Sequence, residues 1–276
     1  MRTSHPQTTT RVPQLRPRNA QPLLIQFFDL LQMELLNWRW SWRGTLVTGM
    51  IAPVLSILAL GTFARNALAV GTGAPNEGTQ ALSYILAGNL VLSLMFQTMS
   101  KMCSRFAFMR ATYTLDYFAT LPIRRWIFVA AITLSFFLMA LPGLLVTLLA
   151  GILYLDLPIH FHPLLLLILP LAALPLSGLG ALIGVSITPG DQAMAITNVL
   201  TLVLMGLGPV IVPAEQLHPW LLWSGWLSPA SYAASALRQT LSGPITPRLG
   251  LDIGVLLAMA ALSYWLVGKK MSWREG

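Results

Sequence analysis

The stretch WIFVAAITLSFFLMALPGLLVTLLAGILYL, residues 126–155, contains no charged side chain and decides the fold class. A helix that spans a membrane needs about 20 mostly apolar residues, and this stretch is longer than that. Six further stretches are also free of charged residues: 44–64, 78–100, 157–190, 192–214, 216–237 and 253–268. The last of these extends back to residue 249 if Asp252 lies at the membrane interface. The sequence thus predicts an all-α integral membrane protein with seven candidate spans.

The composition agrees with a membrane protein. Hydrophobic residues make up 55% of the chain and charged residues 9%, whereas soluble domains carry roughly 25% charged residues. The net charge of +8 comes from Lys and Arg residues that cluster between the apolar stretches. They do not form the continuous basic face of a nucleic-acid-binding domain, so we predict contact with membrane lipid and no nucleic-acid partner.

Residues 216–237 differ from the other candidates. Pro219 and Pro229 would each disrupt a helical turn, and Trp220, Trp223 and Trp226 favour the level of the lipid headgroups. We interpret this segment as a re-entrant outer helical hairpin between spans five and six. Six transmembrane helices remain within a domain of residues 44–268, at about 44–64, 81–101, 126–150, 163–188, 193–213 and 249–268.

The distribution of basic residues predicts the orientation, because cytoplasmic loops carry most Lys and Arg residues. With six spans and the N-terminus inside, only Arg65, Arg238 and Arg248 of the 17 Lys and Arg residues fall outside. A seventh span at 216–237 would move Lys269 and Lys270 to the outside. The sequence therefore predicts a multi-pass protein of the cell inner (plasma) membrane with both termini cytoplasmic.

The segments that flank the spans carry separate predictions. Residues 1–19 are polar and basic without the apolar region of a secretory signal, so we expect a disordered cytoplasmic tail, and residues 269–276 form a second one. Residues 20–43 predict an amphipathic interfacial helix, with apolar side chains at helical spacing. Glu34 interrupts its apolar stripe, which leaves open that this face is partly buried against protein.

The sequence lacks the residues that several kinds of chemistry require. There is no Gly-x-x-x-x-Gly-Lys-Ser/Thr loop, so any ATP would be hydrolysed by another chain. The span interiors hold no ionisable residue of the kind that ion-coupled carriers use, and Asp156, Asp191 and Asp252 near the span ends are expected to be solvated or interfacial. His160 and His162 lack a third ligand. We predict no metal site, no catalytic residue and no enzymatic activity in the chain itself.

The inner loop between spans two and three, residues 108–125, carries the sequence FMRATYTLDYFATLPIRR. A short helix with Arg110, Tyr113, Asp116 and Tyr117 exposed would dock into a groove of a soluble partner, and Pro122 would end it. The alternative is a basic loop that only fixes the topology.

This loop resembles the cytoplasmic loop of type-2 ABC transporter permeases, the membrane subunits of ABC exporters. Their pattern is Arg, a few residues, Gly-Thr-Leu-Glu, an apolar patch and Thr-Pro-Ile-x-Arg. Tyr113 stands where Gly is usual, acidic residues after Arg110 are absent, and Leu121 separates Thr120 from Pro122. The resemblance implies a coupling helix that contacts an ATPase through Arg110, Thr112, Tyr113, Thr114, Leu115, Asp116, Tyr117, Phe118, Pro122 and Arg124.

A second resemblance to the same family follows span five, in GLGPVIVPAEQLHPW (206–220) and WLSPASYAASALR (226–238). The family leads through a Pro-rich stretch into short outer helices with a Pro-x-x-Tyr…Leu-Arg signature. The hairpin would close the pathway outward, or its tryptophans would only mark membrane depth. The predicted outer gate consists of Pro213, Glu215, Pro219, Trp223, Pro229, Tyr232 and Arg238.

The resemblance implies a complex of two permeases, as a homodimer or with a related subunit, bound to two ABC ATPase subunits that bind ATP and Mg. The chain itself would hold no cofactor. The lack of buried charge favours export of an amphipathic, lipid-like or drug-like substrate. Polar span residues, namely Asn89, Gln97, Asn198 and Thr201 with Thr48 and Ser56, are candidates for the pathway, or they only make hydrogen bonds between helices.

Two other classes of function remain open from the sequence. The chain could be a self-contained carrier or channel, or a membrane scaffold that transports nothing.

Overall fold

A computed structural model of the chain describes residues 22–69, 75–121, 123–155, 162–213, 216–241 and 243–271. Side chains are described for these residues except 37–50, 52, 64, 65, 67–69, 75–81 and 155. All regular elements of the described part are helices, and no strand occurs in it. The predicted all-α class is confirmed.

Ten α-helices and one short π-helical segment follow each other along the described chain. They are α1 (Leu23–Ala69), α2 (Pro75–Leu94), the π segment (Met95–Ser100), α3 (Lys101–Ala111), α4 (Thr114–Thr120), α5 (Arg125–Leu155), α6 (Leu165–Ser186), α7 (Gly190–Gly206), α8 (Pro219–Gly225), α9 (Pro229–Leu241) and α10 (Arg248–Lys270). The α2 helix, the π segment and α3 form one uninterrupted helical run.

Four helices of the described chain are long and apolar enough to cross a membrane: Leu82–Ala111, Arg125–Tyr154, Leu165–Ser186 and Arg248–Lys270. They coincide with the predicted spans two, three, four and six, and they support a multi-pass membrane protein. The predicted first span contains the shorter apolar helical stretch Pro53–Phe63, and α7, the predicted fifth, has 17 residues. The count of six spans therefore stays a prediction.

The first helix runs from Leu23 to Ala69 without a break at residue 43, where the sequence predicts a change from interfacial helix to span. On its N-terminal part Gln26, Leu30 and Glu34 are buried, while Leu24 and Phe28 are exposed. The face that contacts protein is thus partly polar, as the position of Glu34 allowed. The interfacial location of 20–43 stays a prediction, and the tail 1–19 lies outside the described residues.

Charged side chains gather at one end of the helical bundle, which we call the charged end. Nη2 of Arg105 lies 2.5 Å from Oε1 of Glu34, so α3 is tied to α1. The Arg110 guanidinium donates to the carbonyl of Val185 at the end of α6, and Nη1 of Arg125 donates to the carbonyl of Gly268 in α10 over 3.1 Å. The ends of three helices and the start of α5 therefore meet here.

The opposite end, the hairpin end, is formed around α8 and α9. The backbone N–H of His162, just before α6, donates to the carbonyl of Thr240 over 3.3 Å. The guanidinium of Arg238 lies over the ring of Tyr84, in the middle of α2, with its Cζ 3.9 Å from the ring centroid. Ser235 of α9 donates to Asp252 near the start of α10 over 2.7 Å.

These contacts show that successive long helical runs connect the two ends in alternating directions. The run from α2 to α3 and the helices α6 and α10 begin at the hairpin end and finish at the charged end. Helix α5 begins at the charged end, and α1 and α7 run in the same direction as α5. In α1, Glu34 lies near α3 and Ile57 lies toward the hairpin end. In α7, Ala193 lies near α3 and Leu204 lies toward the hairpin end.

Close backbone packing fixes α6 against the π segment and α3. A Cβ atom added to Gly180 would collide with the carbonyl of Met99, and one added to Gly184 would lie 2.5 Å from the carbonyl of Cys103. Small residues that let two helix backbones touch are a common way of joining helices in membranes. Helix α3 is therefore held firmly in place, and it carries the segment that the sequence predicts to be functional.

Candidate functional site

The predicted coupling residues form a turn and a short helix at the charged end, which we call the coupling segment (residues 110–121). Helix α3 ends at Ala111, and the N–H of Thr112 donates to the carbonyl of Phe108 over 3.0 Å. The hydroxyls of Thr112 and Thr114 lie 2.7 Å apart across the turn. The chain then enters α4, so the segment is a helix and not an irregular loop.

Tyr113 occupies the sharpest point of this turn, with φ of 55° in the left-handed region. Glycine adopts this conformation without steric penalty, whereas other residues pay about 1–2 kcal/mol for it. This is the position at which the family pattern has glycine. The left-handed turn is therefore formed here by a residue bulkier than glycine.

One face of α4 anchors the coupling segment to the bundle. Leu115 and Phe118 are buried in a cluster with Phe106 and Met109 of α3 and Phe128 of α5. The rings of Phe118 and Phe128 have their centroids 4.8 Å apart. Burying an apolar side chain of this size contributes about 1.5–3 kcal/mol, so these contacts suffice to hold a seven-residue helix that would not be stable alone.

The other face of the segment is exposed and aromatic. The side chains of Tyr113 and Tyr117 are 74% and 62% exposed, and the carboxylate of Asp116 is exposed between them. Phe108 of α3 is exposed as well. Aromatic side chains of this kind are enriched where proteins bind each other, which favours a docking surface over a loop that only fixes topology.

A cleft of about 610 Å³ lies beside this face. The coupling segment, the end of α6 and the end of α10 line it with Arg110, Tyr113, Leu115, Asp116, Val185, Ser186, Thr188, Lys270 and Met271 among others. Since Arg110 donates to the Val185 carbonyl, it positions the segment and also borders the cleft. Arg124 is exposed, and Pro122 lies outside the described residues.

The predicted outer gate is a folded hairpin at the hairpin end. The guanidinium Nη1 of Arg238 donates to the carbonyls of Pro209 and Val210 over 2.8 and 3.3 Å. The hydroxyls of Ser228 and Ser231 donate to the carbonyls of Leu204 and Leu207 over 3.3 and 3.1 Å. Side chains of the hairpin thus satisfy the backbone carbonyls at the end of α7, which would otherwise lack partners.

A tight backbone crossing lies inside the same hairpin. Gly208 has φ of 99°, and a Cβ on Gly225 would be 2.9 Å from the Cα of Gly208. Both positions therefore require glycine: Gly208 for its conformation and Gly225 for the close approach.

The remaining gate residues separate into buried and exposed ones. Pro229 is buried, Pro213 is half-buried and Tyr232 donates its hydroxyl to the carbonyl of Trp226 over 2.9 Å. Trp223 is 81% exposed, and Pro219 at the start of α8 is exposed. Glu215 lies outside the described residues. The tryptophans thus face away from the bundle, as residues that mark membrane depth would.

The environment of Asp252 differs from the one that the sequence predicts. Its side chain is fully buried, so the expectation of a solvated or interfacial carboxylate is wrong. Its Oδ2 accepts hydrogen bonds from Ser235 over 2.7 Å and from Gln239 over 3.2 Å. Its Oδ1 has no partner among the described residues. The signal available in the sequence was the small-residue face of α9, which lets that helix cover the start of α10.

The candidate pathway residues are mostly buried between helices. The amide of Asn89 donates to the Ile85 carbonyl over 2.8 Å and accepts from the Ser56 hydroxyl. Nε2 of Gln97 lies 3.3 Å from the Ala140 carbonyl. These bonds fit the alternative of helix–helix hydrogen bonding, and a role in a pathway stays a prediction.

The other two candidates differ from each other. Thr201 is buried and donates to the Thr197 carbonyl within its own helix over 2.9 Å, whereas Asn198 is exposed on α7. The side chain of Thr48 lies outside those described. Among the candidates whose side chains are described, Asn198 is the one that faces out from the bundle of a single chain.

Comparison with known proteins places this architecture in a family. Residues 25–242 match the family model of the ABC-2 type transporter, a range that includes the coupling segment and the hairpin. A search of curated proteins finds no match. Proteins of this family are the membrane component of a transporter, not themselves the catalytic ATPase, and they generally work with an ABC ATPase partner. Since the match covers most of the chain, this multi-pass membrane protein belongs to the ABC-2 type transporter family, the type-2 permeases that its inner loop resembles.

Proposed function

We propose that the chain is the permease subunit of an ABC exporter that moves an amphipathic, lipid-like or drug-like substrate outward with ATP hydrolysed by a separate ATPase subunit. The observation that carries this proposal is the division of the coupling segment into a buried anchor, Leu115 and Phe118, and an exposed face, Tyr113, Asp116 and Tyr117. A soluble partner that binds the exposed face acts directly on α3 and α5 through the anchor.

The distribution of charge supports six spans with both termini cytoplasmic. Basic residues at the ends of α3, α5 and α10 gather at the charged end, beside the coupling segment. The alternating helical runs are consistent with this arrangement, and basic residues remain on the cytoplasmic side. The ATPase, with its ATP and Mg, then binds at the charged end, and the hairpin lies outside.

The exposed face of α7 supports a second permease copy. Ile196, Val199, Leu202 and Val203 form an exposed apolar surface with Asn198 among them. An amide on an apolar membrane face is best satisfied by a partner helix that offers another amide. A homodimer would pair these faces, place the substrate path between the two copies and bind two ATPase subunits.

Transmission of the ATPase movement would follow packed elements. A push on α4 moves Leu115 and Phe118, which contact Phe106 on α3 and Phe128 on α5. Helix α3 is continuous with the π segment and α2, and Tyr84 of α2 contacts Arg238 of the hairpin. A continuous helical run thus connects the base of the coupling segment with the outer hairpin.

The test uses the permease co-expressed and co-purified with its ATPase. The Asp116→Lys change reverses an exposed charge on the docking face, so we expect loss of substrate-stimulated ATPase activity by at least about tenfold, with unchanged yield of permease. The matched control is Asp191→Lys, which reverses another exposed first-turn carboxylate, on α7.

Normal stimulation in Asp116→Lys would contradict the assignment of the coupling segment. Transport by the reconstituted permease without any ATPase would instead establish a self-contained carrier or channel. A complex that hydrolyses ATP but moves no substrate from a broad panel would support the scaffold.

A further inference from the structure

Lys101 has no part in the proposed coupling or gating, yet its amine lies in an unusual place. It is the first residue of α3, within a helical run that continues to Ala111. Its Nζ is buried and has no hydrogen-bond partner among the described residues. A cation inside a membrane protein is costly when it is unpaired, and such residues commonly mark the path of a substrate.

The depth of Lys101 in the membrane does not explain this burial. The span that contains it begins at Leu82, and with a rise of 1.5 Å per residue Lys101 lies about 28 Å further along. Since a hydrocarbon core is about 30 Å thick, this position is close to the level of the lipid headgroups. A lysine at that level usually extends its amine to water. Here the amine is instead enclosed by protein.

Arg105, one helical turn further along α3, provides a direct comparison. Its Nη2 lies 2.5 Å from Oε1 of Glu34 on α1. Residues four apart lie on the same side of a helix, so Lys101 points to the same side as Arg105. Within the described part of the chain, however, it has no acidic partner. The protein pairs one of these two cations and leaves the other available to an external anion.

Lys101 borders an exposed strip of α3, formed by Ser104 and Phe108. On one side of this strip α3 contacts α1 through Arg105. On the other side it packs against α7 through Ala107. The exposed apolar face of α7, which we propose to meet a second permease, adjoins the strip. In that dimer the strip borders the substrate path between the two copies.

A second polar group without a partner lies next to Lys101. The hydroxyl of Ser100, the last residue of the π segment, is buried and makes no hydrogen bond to any described residue. The hydroxyl of Thr98, by contrast, donates to the Leu94 carbonyl over 2.7 Å. An ammonium and nearby hydroxyls are the donors that a carboxylate, phosphate or sulfate accepts, whereas an uncharged group would leave the ammonium unpaired.

We propose that Lys101 recognises the anionic group of the transported amphipath, with Ser100 and Ser104 as further donors. This inference rests on the proposed function, which places the strip beside the path and the charged end in the cytoplasm. The flexible stem of Lys101 lets its ammonium turn toward the strip, at the depth where an amphipath of the inner leaflet holds its head group. The substrate class is thereby an amphipathic anion.

The experiment measures binding of a fluorescent probe to the purified full-length permease in phosphatidylcholine nanodiscs, with the signal of empty nanodiscs subtracted. The probes are dansyl-labelled undecanoate and its methyl ester, which share the chain and the fluorophore and differ in charge. We expect saturable binding of the carboxylate, at least about tenfold tighter than that of the ester, because only the carboxylate makes a charge-assisted bond.

Three variants locate the preference. Lys101→Met keeps an unbranched chain and has no bond to lose, so it should fold with unchanged thermal stability, bind the carboxylate at least about tenfold more weakly and bind the ester as before. Lys101→Arg keeps the charge and should stay within about threefold of the original affinity for the carboxylate. The matched control, Lys269→Met, removes an exposed cation at the same end of the bundle and should keep the preference in full.

Equal affinity for the two probes, no saturable binding of the carboxylate, or an undiminished preference in Lys101→Met would overturn the proposal. Lower thermal stability of Lys101→Met together with weaker binding of both probes would also overturn it, because the lysine would then be structural. None of these measurements involves the ATPase. A permease that prefers the carboxylate but fails to couple to an ATPase would contradict the proposed function and leave the anion site intact.

Discussion

The coupling segment and the hairpin are both short helical elements with exposed aromatic side chains, but they are attached to the bundle in different ways. Apolar contacts of Leu115 and Phe118 hold most of the coupling segment. The hairpin is packed into the core through small and apolar residues of α9, and it is also held by side chains that donate to backbone carbonyls at and after the end of α7, with Arg238 and Ser231 as examples. Hydrophobic contacts are non-directional, whereas hydrogen bonds fix distance and angle. The coupling segment can therefore shift without losing its attachment, while the hairpin resists distortion.

The largest expected effect concerns the placement of the two regions on opposite sides of the membrane. Thr120 is exposed at the end of α4 and Thr246 is exposed after α9. A cysteine at position 246 should react completely with a membrane-impermeant maleimide in intact cells, and one at position 120 should react only after permeabilisation. The native Cys103 is buried and should stay unlabelled in both. Labelling of both positions in intact cells would mean that both regions lie on the outer side of the membrane, which contradicts the predicted orientation.

Loss of Arg238 should have the next largest effect. The Arg238→Ala change leaves two backbone carbonyls without their donor and removes the stacking on Tyr84, so we expect a loss of about 3 kcal/mol in stability. Thermal unfolding of the purified permease, followed by the fraction that remains soluble and monodisperse, would measure it. The exposed Arg248→Ala is the control and should change stability by less than about 0.5 kcal/mol. Similar unfolding of both variants would mean that the hairpin is not held by directed bonds.

Phe118→Ala should affect the coupling segment more than the bundle. It removes most of the apolar anchor, and we expect about 2 kcal/mol lower stability of α4 locally, since the helix lies at the edge of the core. Hydrogen exchange should become faster in residues 114–120 while α5 and α6 keep their protection. Tyr117→Ala, which removes an exposed ring, should leave exchange unchanged. Faster exchange throughout the bundle would show that α4 does not open independently of the other helices.

The smallest expected effect lies at Tyr113. Tyr113→Gly and Tyr113→Ala both remove the exposed ring, but only glycine relieves the left-handed backbone. We expect the glycine variant to be about 1 kcal/mol more stable than the alanine variant in the same local hydrogen-exchange measurement. Equal protection in the two variants would mean that the turn relaxes to another conformation when the ring is lost.

The sequence predicted the positions of the helices better than it predicted the environments of individual side chains. Charge-free stretches located the long helices because the lipid environment demands apolar side chains over a known length. The boundary at residue 43 was inferred from a change in polarity, yet backbone hydrogen bonding does not depend on polarity, and α1 continues through it.

The environment of single polar residues was the hardest to predict. Asp252 lies near a helix end, where solvent is the usual neighbour, but α9 covers it and supplies Ser235 and Gln239. The sequence predicts that Arg110 contacts the ATPase. In the structure its guanidinium also donates a hydrogen bond to the carbonyl of Val185, a contact that depends on where α6 ends. Contacts between residues far apart in the chain leave little trace in a single sequence.

The π segment Met95–Ser100 has a consequence for genetics. A π-helical turn holds one residue more than an α-helical turn, and each residue of an α-helix advances by about 100°. The segment thus takes up one extra residue between α2 and α3 while the two helices keep their angular phase. An in-frame deletion of one codon here would convert the π turn into an ordinary α-helical turn and leave Met102 and Phe106 facing the core. Such a deletion should be better tolerated than a one-codon deletion within α3, which would rotate the residues that follow it by about 100°.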